Sequence, residues 1–170
     1  MIKGVVKASA IFTMGNMLPL LTSVVLLFPY TENLSTSLYG ALALYIAFTI
    51  FVQFTANYGL DNYVGIHHFE YKKDPEEMRA FVGSVVGAML IIGLVLLVFF
   101  SLIGNLLFQL LFRGELSFFP YGFMCVLTGI FNAFFRTYIN FLFYRDMPSR
   151  HLWFNAFNFI VTVALCTIGV

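Results

Sequence analysis

The chain has 170 residues, of which 61% are hydrophobic and only 10% are charged, and its mean hydropathy is +0.91. A soluble domain carries about 25% charged residues, so this composition excludes a soluble globule, and it equally excludes a disordered chain. Nine basic and eight acidic residues leave a net charge of +1, which excludes the strongly basic surface of a nucleic-acid-binding protein. The composition predicts an all-α fold, a polytopic membrane helix bundle.

Five apolar stretches are long enough to be membrane spans, since a helix needs about 20 residues to cross about 30 Å of hydrocarbon. They predict a single transmembrane bundle over residues 1–170, with spans near 8–29, 38–60, 80–104, 118–142 and 151–170. No small-residue cleavage site follows the first span, so we expect it to remain as a helix rather than to be removed as a signal peptide. Pro19 lies within this span and predicts a kink near Asn16.

The third span has the clearest signal for a helix start. Asp74 is a predicted N-cap, a proline follows it at the first helical position, and Glu77 is the carboxylate that completes a capping box. Gly83 and Gly87 then predict a face of small residues for close helix packing. Residues 105–112 continue the apolar pattern by about two turns, either in the membrane interface or as an extension of the helix.

The basic residues predict the orientation, because Lys and Arg near span ends are retained on the cytoplasmic side. Most of them lie before the first span or in the second and fourth connections: Lys3, Lys7, Lys72, Lys73, Arg79, Arg145 and Arg150. The other connections hold only Arg113, and Arg136 lies inside a span. We therefore expect a cytoplasmic amino terminus and, after five crossings, an external carboxyl terminus.

Arg136 is the first candidate for a functional residue, because it lies about 10 Å inside the predicted cytoplasmic end of the fourth span. A charged side chain at mid-span costs roughly 2.5–3.5 kcal/mol on insertion scales, so Arg136 is expected to face protein or a water-filled cavity. Thr128, Asn132 and Asn140 recur at intervals of four and share one side of the helix with it. We expect such a polar stripe to face protein or water rather than acyl chains.

The second span repeats this pattern with Thr49, Gln53, Asn57 and Asp61. We expect the two stripes to face each other. In one interpretation they line an aqueous cavity, in which Arg136 attracts an anionic substrate and Asp61 is its counter-ion, a proton site or a cation site. In the other, they are interhelical hydrogen bonds that hold the bundle together, each contributing about 0.6 kcal/mol, and Asp61 is a solvated residue at a helix end.

Weaker candidates lie in the first and fifth spans. They are Ser9, Asn16, Ser23, Asn155, Asn158 and Thr162. These side chains either extend the polar lining or serve helix packing, where small polar residues are common. The predicted substrate-binding set is Arg136, Asn132, Asn140, Asn57, Gln53 and Asn16, with Asp61 as the ion-coupling residue.

Metal and enzyme chemistry have little support in the sequence. Cys125 and Cys166 lie in apolar runs and resemble small hydrophobic side chains. His67 and His68 point to different sides of a helix and, with Glu70, lack the further ligands that a metal site needs. No phosphate-cradling glycine loop or glycine-flanked nucleophile occurs. We expect no enzymatic activity, no metal and no cofactor.

Four short pieces of the sequence, taken in order, resemble one family. They are Leu34, Ser35, Tyr39 and Gly40; Gly59, Leu60 and Asp61; Glu70, Tyr71, Lys72, Asp74, Pro75, Glu76 and Glu77; and Tyr144, Arg145 and Asp146 through Arg150, followed by Asn155. In this order and spacing, the chain resembles the amino-terminal part of the polysaccharide exporters. These are the O-antigen flippases of the MATE-like multidrug/oligosaccharidyl-lipid/polysaccharide superfamily.

The resemblance implies a multi-pass transporter of the cytoplasmic (inner) membrane, with the lipid bilayer and a lipid-linked saccharide as its partners. Such proteins move polyprenyl-diphosphate-linked saccharide units to the outer leaflet by alternating access between two helix bundles. Asp61 belongs to one of the four pieces that resemble the family. Arg136 belongs to none of them, and its candidacy rests on its depth in the span. In a flippase, Arg136 would meet the diphosphate, because guanidinium groups bind phosphate oxygens bidentately.

A second bundle is missing from these 170 residues. We therefore expect the chain to be part of a longer transporter or to need an oligomeric partner. Two other functions remain open: a drug or metabolite antiporter of the same superfamily, and a non-transporting membrane scaffold or assembly subunit.

Overall fold

The computed structural model describes residues 2–71 and 73–168; Lys72 and residues 1, 169 and 170 lie outside the described residues. The helices are α1 (Ile2–Asn33), α2 (Thr36–Asn57), α3 (Leu60–Tyr71), α4 (Pro75–Phe112), α5 (Phe123–Tyr144) and α6 (Pro148–Ile168). A single π-helical turn, Phe118–Gly122, precedes α5. Within the described ranges there is no β-strand. The predicted all-α fold is confirmed.

In the part of the chain that the structure describes, four segments are long and apolar enough to cross a membrane: Val6–Asn33, Thr36–Tyr71, Pro75–Phe112 and Phe118–Tyr144. They coincide with the first four predicted spans, so length and composition support a multi-pass membrane protein. The fifth predicted span, 151–170, falls on α6 and continues beyond the described residues. Five crossings therefore stay a prediction, and so does the orientation, which rests partly on Lys72.

The helix α4 starts where the sequence predicts, but the predicted capping box is not completed. The backbone N–H of Asp74 donates to the carbonyl oxygen of Tyr71 at 3.2 Å and not to the side chain of Glu77. Asp74 is the N-cap, with extended backbone angles, and its carboxylate accepts hydrogen bonds from the backbone N–H groups of Glu76 (2.8 Å) and Glu77 (3.4 Å). The helix continues without a break to Phe112, so residues 105–112 extend it. It ends at Arg113, which adopts the left-handed conformation that commonly terminates helices.

The helix of the second predicted span ends earlier than the sequence predicts. One helix was expected over 38–60, but α2 ends at Asn57, and Tyr58 and Gly59 have φ angles of 46° and 78°. Glycine enters this left-handed region without a Cβ clash, so Gly59 permits the break. A separate helix, α3, then begins, and Asp61 lies in its first turn rather than at the end of α2.

The chain forms two compact units, one containing α1 and α6 and the other containing Gly40–Asn140. In the first unit, α1 and α6 run in the same direction, because Gly15 lies against His151 and Tyr30 lies beside Cys166. A Cβ at Gly15 would lie 2.7 Å from the Nδ1 atom of His151, so glycine is needed for this approach. The single bundle predicted for 1–170 and the kink near Asn16 stay predictions.

The second unit is organised around an aromatic core. Its buried members are Val52, Phe100, Phe108, Phe118 and Val126. The ring of Phe48 packs edge-on against Phe100 and Phe108, with centroids 5.2 and 5.1 Å apart. Because residues from α2, α4, the π-turn and α5 all contribute, this core fixes the helices that carry the polar stripes.

The helices α2 and α5 approach each other closely at Gly129. A Cβ there would lie 2.8 Å from the carbonyl oxygen of Thr49 and 2.8 Å from the side chain of Val52. By contrast, a Cβ at Gly83 or Gly87 would meet nothing within 4 Å. The packing face predicted at Gly83 and Gly87 is therefore wrong for the described part of the chain.

This difference between glycines is testable. Gly129→Ala should lower the free energy of unfolding by about 1–3 kcal/mol, because the added methyl group must push apart two packed backbones. Gly87→Ala, the matched control on α4, should leave it unchanged or raise it by up to about 1 kcal/mol, because alanine favours helix. Denaturant titration of both variants in detergent micelles measures the difference. Equal stability of the two variants would contradict the close approach.

Candidate functional site

Polar residues of α2, α3 and α5 form one cluster. It lies beyond Gly129, toward the carboxyl ends of α2 and α5. Here the amide Nδ2 of Asn57 donates a hydrogen bond of 3.1 Å to Oγ1 of Thr137. Both residues are buried, with 4% and 8% of their surface exposed. A buried amide paired in this way ties the end of α2 to α5.

Asp61 is the centre of the cluster. Its side chain is only 6% exposed, and its Oδ2 accepts hydrogen bonds from Nε of Arg136 (3.1 Å) and Nδ2 of Asn140 (3.3 Å). Its Oδ1 accepts from the backbone N–H of Asn62 at 2.9 Å. The carboxylate therefore has three donors, and the guanidinium balances its charge.

Arg136 lies in α5 about two turns before the helix ends at Tyr144. Its side chain is 43% exposed, and its guanidinium carbon lies 5.1 Å from the centroid of the Phe54 ring. The ion pair with Asp61 uses only Nε. Among the described residues, the two terminal nitrogens make no hydrogen bond, so the planar fork of the guanidinium is available to a further acceptor.

The remaining predicted residues are distributed unevenly around this cluster. Gln53 and Asn132 are half-buried on α2 and α5, and their amides make no hydrogen bond within residues 2–71 and 73–168. The hydroxyl of Thr49 bonds to the carbonyl of Tyr45 in its own helix. Asn16 is exposed on α1, in the other compact unit, and its place in a binding site stays a prediction.

Two contacts of the cluster were missed in the sequence. Thr137 binds Asn57, and the ring of Phe54 lies beside Arg136. Thr137 directly follows Arg136, so a search at strict intervals of four passes over it. Phe54 is one of 22 phenylalanines, and nothing in its sequence context distinguishes it.

The histidines of α3 have other partners. Nδ1 of His67 lies 2.7 Å from Oε2 of Glu70, one turn further along the helix, whereas His68 is buried. Over the described ranges, no three His, Cys, Asp or Glu side chains are grouped so that they could hold a metal ion.

The fold and this cluster define an all-helical, multi-pass membrane protein in which a buried carboxylate on α3 pairs with a partly exposed guanidinium on α5. Comparisons with protein-family models, with curated proteins and with solved structures found no match to the chain.

The ion pair makes a prediction about stability. Asp61→Ala leaves the guanidinium of Arg136 and the amide of Asn140 without their acceptor, so the free energy of unfolding should fall by about 1–3 kcal/mol. Glu115→Ala removes an exposed carboxylate outside the cluster and should change it by no more than about 0.5 kcal/mol. Denaturant titration in micelles compares the two, and an Asp61→Ala variant as stable as the parent would show that the pair contributes nothing.

Proposed function

We propose that the protein is a membrane transporter that flips polyprenyl-diphosphate-linked saccharide units across the cytoplasmic membrane for surface polysaccharide export. The observation that carries the proposal is the guanidinium of Arg136, on a helix that is mostly apolar. Its Nε is bound by Asp61, and its two terminal nitrogens make no hydrogen bond among the described residues. The resemblance of the four sequence pieces to polysaccharide exporters supports the same substrate class.

A diphosphate is the acceptor that this geometry suits best. The terminal nitrogens of a guanidinium form two parallel hydrogen bonds to phosphate oxygens, and such charge-assisted bonds are about twice as strong as neutral ones. The Asp61 carboxylate occupies Nε and orients the fork without blocking it. Proton or cation binding at Asp61 would weaken its hold on Arg136, which gives the ion-coupling role a physical basis.

The amides near Arg136 suit the neutral part of such a substrate. Gln53 and Asn132 are half-buried and have free donors and acceptors within the described chain. Asn57 and Asn140 are already engaged with Thr137 and Asp61, so they would position the cluster. In this proposal, the exposed side of Arg136 faces a cavity that is closed by a second bundle, supplied by further chain or by a partner.

A non-transporting scaffold is the second candidate. Two observations favour it. The opposite charges of Asp61 and Arg136 cancel each other, and the buried side chains of Asn57 and Thr137 are hydrogen-bonded to each other, so neither pair requires a ligand. The two candidates differ in what happens when the charged pair is replaced as a unit. A scaffold requires only a stable pair, whereas a flippase requires the guanidinium itself.

Binding to the purified chain in lipid nanodiscs tests the proposal. The affinity for a polyprenyl-diphosphate-linked saccharide should fall roughly 10–100-fold in Arg136→Gln, which loses the charge-assisted bonds. It should also fall in Arg136→Lys, which keeps the charge but loses the fork. Arg150→Gln, at the exposed start of α6, is the control and should bind as the parent does.

The double variant Asp61→Asn/Arg136→Gln separates stability from recognition. It removes both charges together, so it should fold and yet bind the lipid-linked saccharide no better than Arg136→Gln. Full binding by this variant would show that Arg136 does not recognise the saccharide and would contradict the proposal. Absence of saccharide binding by the stable parent chain would favour the scaffold, and binding of a lipophilic organic cation in place of the saccharide would favour a drug antiporter.

A further inference from the structure

A cleft of about 430 Å³ lies between α3 and the first turns of α4, apart from the Arg136 cluster. It is lined by Leu60, Tyr63, Tyr71, Glu77, Ala80, Phe81, Ser84, Val85 and Ala88. Its volume is within the range of small-molecule sites. Small side chains at Ala80, Ser84 and Ala88, one turn apart, leave room along α4.

Aromatic rings surround the cleft. Phe81 is stacked with Tyr71, with centroids 4.8 Å apart, and lies 5.7 Å from the ring of Tyr63. The ring of His67 lies 4.4 Å from Tyr63 and extends the group. Phe81 is only 8% exposed, whereas Tyr63 is 45% exposed, so a buried ring forms the base of this wall and the ring of Tyr63 is accessible to a ligand.

The charge of the cleft is negative. Glu77 is its only carboxylate, and the lining contains no Lys or Arg. Across the described residues Glu77 forms no ion pair, whereas the nearby Glu70 is engaged by His67. Among the described residues, the lining therefore offers one unpaired carboxylate to a cation.

The surroundings of Glu77 place the cleft at the boundary between water and membrane. Charged residues cluster just before it, at Lys73, Asp74 and Glu76, and the apolar stretch of α4 begins at Ala80. Further along the same helix, Leu90, Ile91 and Leu94 are each more than half exposed. A ligand in the cleft could therefore keep a polar head at Glu77 while an apolar tail follows α4.

We propose that this cleft binds an organic ammonium group, either the headgroup of a phospholipid or a free organic cation. Aromatic rings attract ammonium groups within about 6 Å of their centroids, and a carboxylate adds direct charge pairing. An inorganic cation is a poor fit, because Ca²⁺ and Mg²⁺ require six or more oxygen ligands. This inference does not depend on the function of the Arg136 cluster.

Native mass spectrometry of the purified chain in detergent tests the site. Phosphatidylethanolamine and phosphatidylcholine, which carry an ammonium group, should bind more tightly than phosphatidylglycerol, which does not. Glu77→Gln should weaken their binding about tenfold and abolish this preference. Glu76→Gln, one residue earlier and outside the lining, removes the same charge and should have no effect. Tyr63→Leu, at a half-exposed ring, should weaken binding without unfolding the chain, which circular dichroism verifies.

Competition with choline and with tetramethylammonium distinguishes the two sources of the ammonium group. Displacement of the lipid by these ions at comparable concentrations identifies a site for free organic cations, and lipid binding that resists them identifies a headgroup site. Equal binding of all three lipids together with no binding of either ion would overturn the proposal. So would identical behaviour of the Glu77→Gln and Glu76→Gln variants. Both of these outcomes concern the cleft alone, so they would leave the proposed saccharide binding at Arg136 untouched.

Discussion

Hydrocarbon offers no hydrogen bonds, so each polar group placed in it must find its partner within protein or in a wet cavity. For the backbone, this requirement is met by helices, which account for nearly the whole described chain. For the side chains, it is met most fully at Asp61, whose two oxygens accept from three donors. The arrangement depends on two glycines. Gly59 ends α2 so that Asp61 can start a new helix, and Gly129 lets α5 approach.

One short helix connects the two sites that we propose. Asp61 lies in the first turn of α3, and Tyr63 and Tyr71 line the cleft further along it. The two sites differ in sign, because an exposed guanidinium attracts anions and a free carboxylate attracts cations. A ligand that restrained α3 against α4 would therefore also restrain the carboxylate that orients Arg136.

Local signals in the sequence predicted the local features. Asp74 and Pro75 marked the start of α4 to the residue, and the apolar runs located the first four membrane-length segments. The pairing of Asp61 with Arg136 followed from the spacing of polar residues, although Asp61 was placed on the wrong helix. The break at Tyr58 was missed because the polar residues at intervals of four, Asn57 and Asp61, continue across it. Which glycines pack closely could not be predicted, since Gly87 and Gly129 differ only in what lies across from them.

The parallel pairing of α1 with α6 has a consequence for biosynthesis. His151 fits against Gly15, so α1 lacks this partner until the ribosome has made all of Gly40–Asn140. At roughly 5–20 residues per second, the wait is on the order of 10 s. The first helix to enter the bilayer is thus among the last to be assembled.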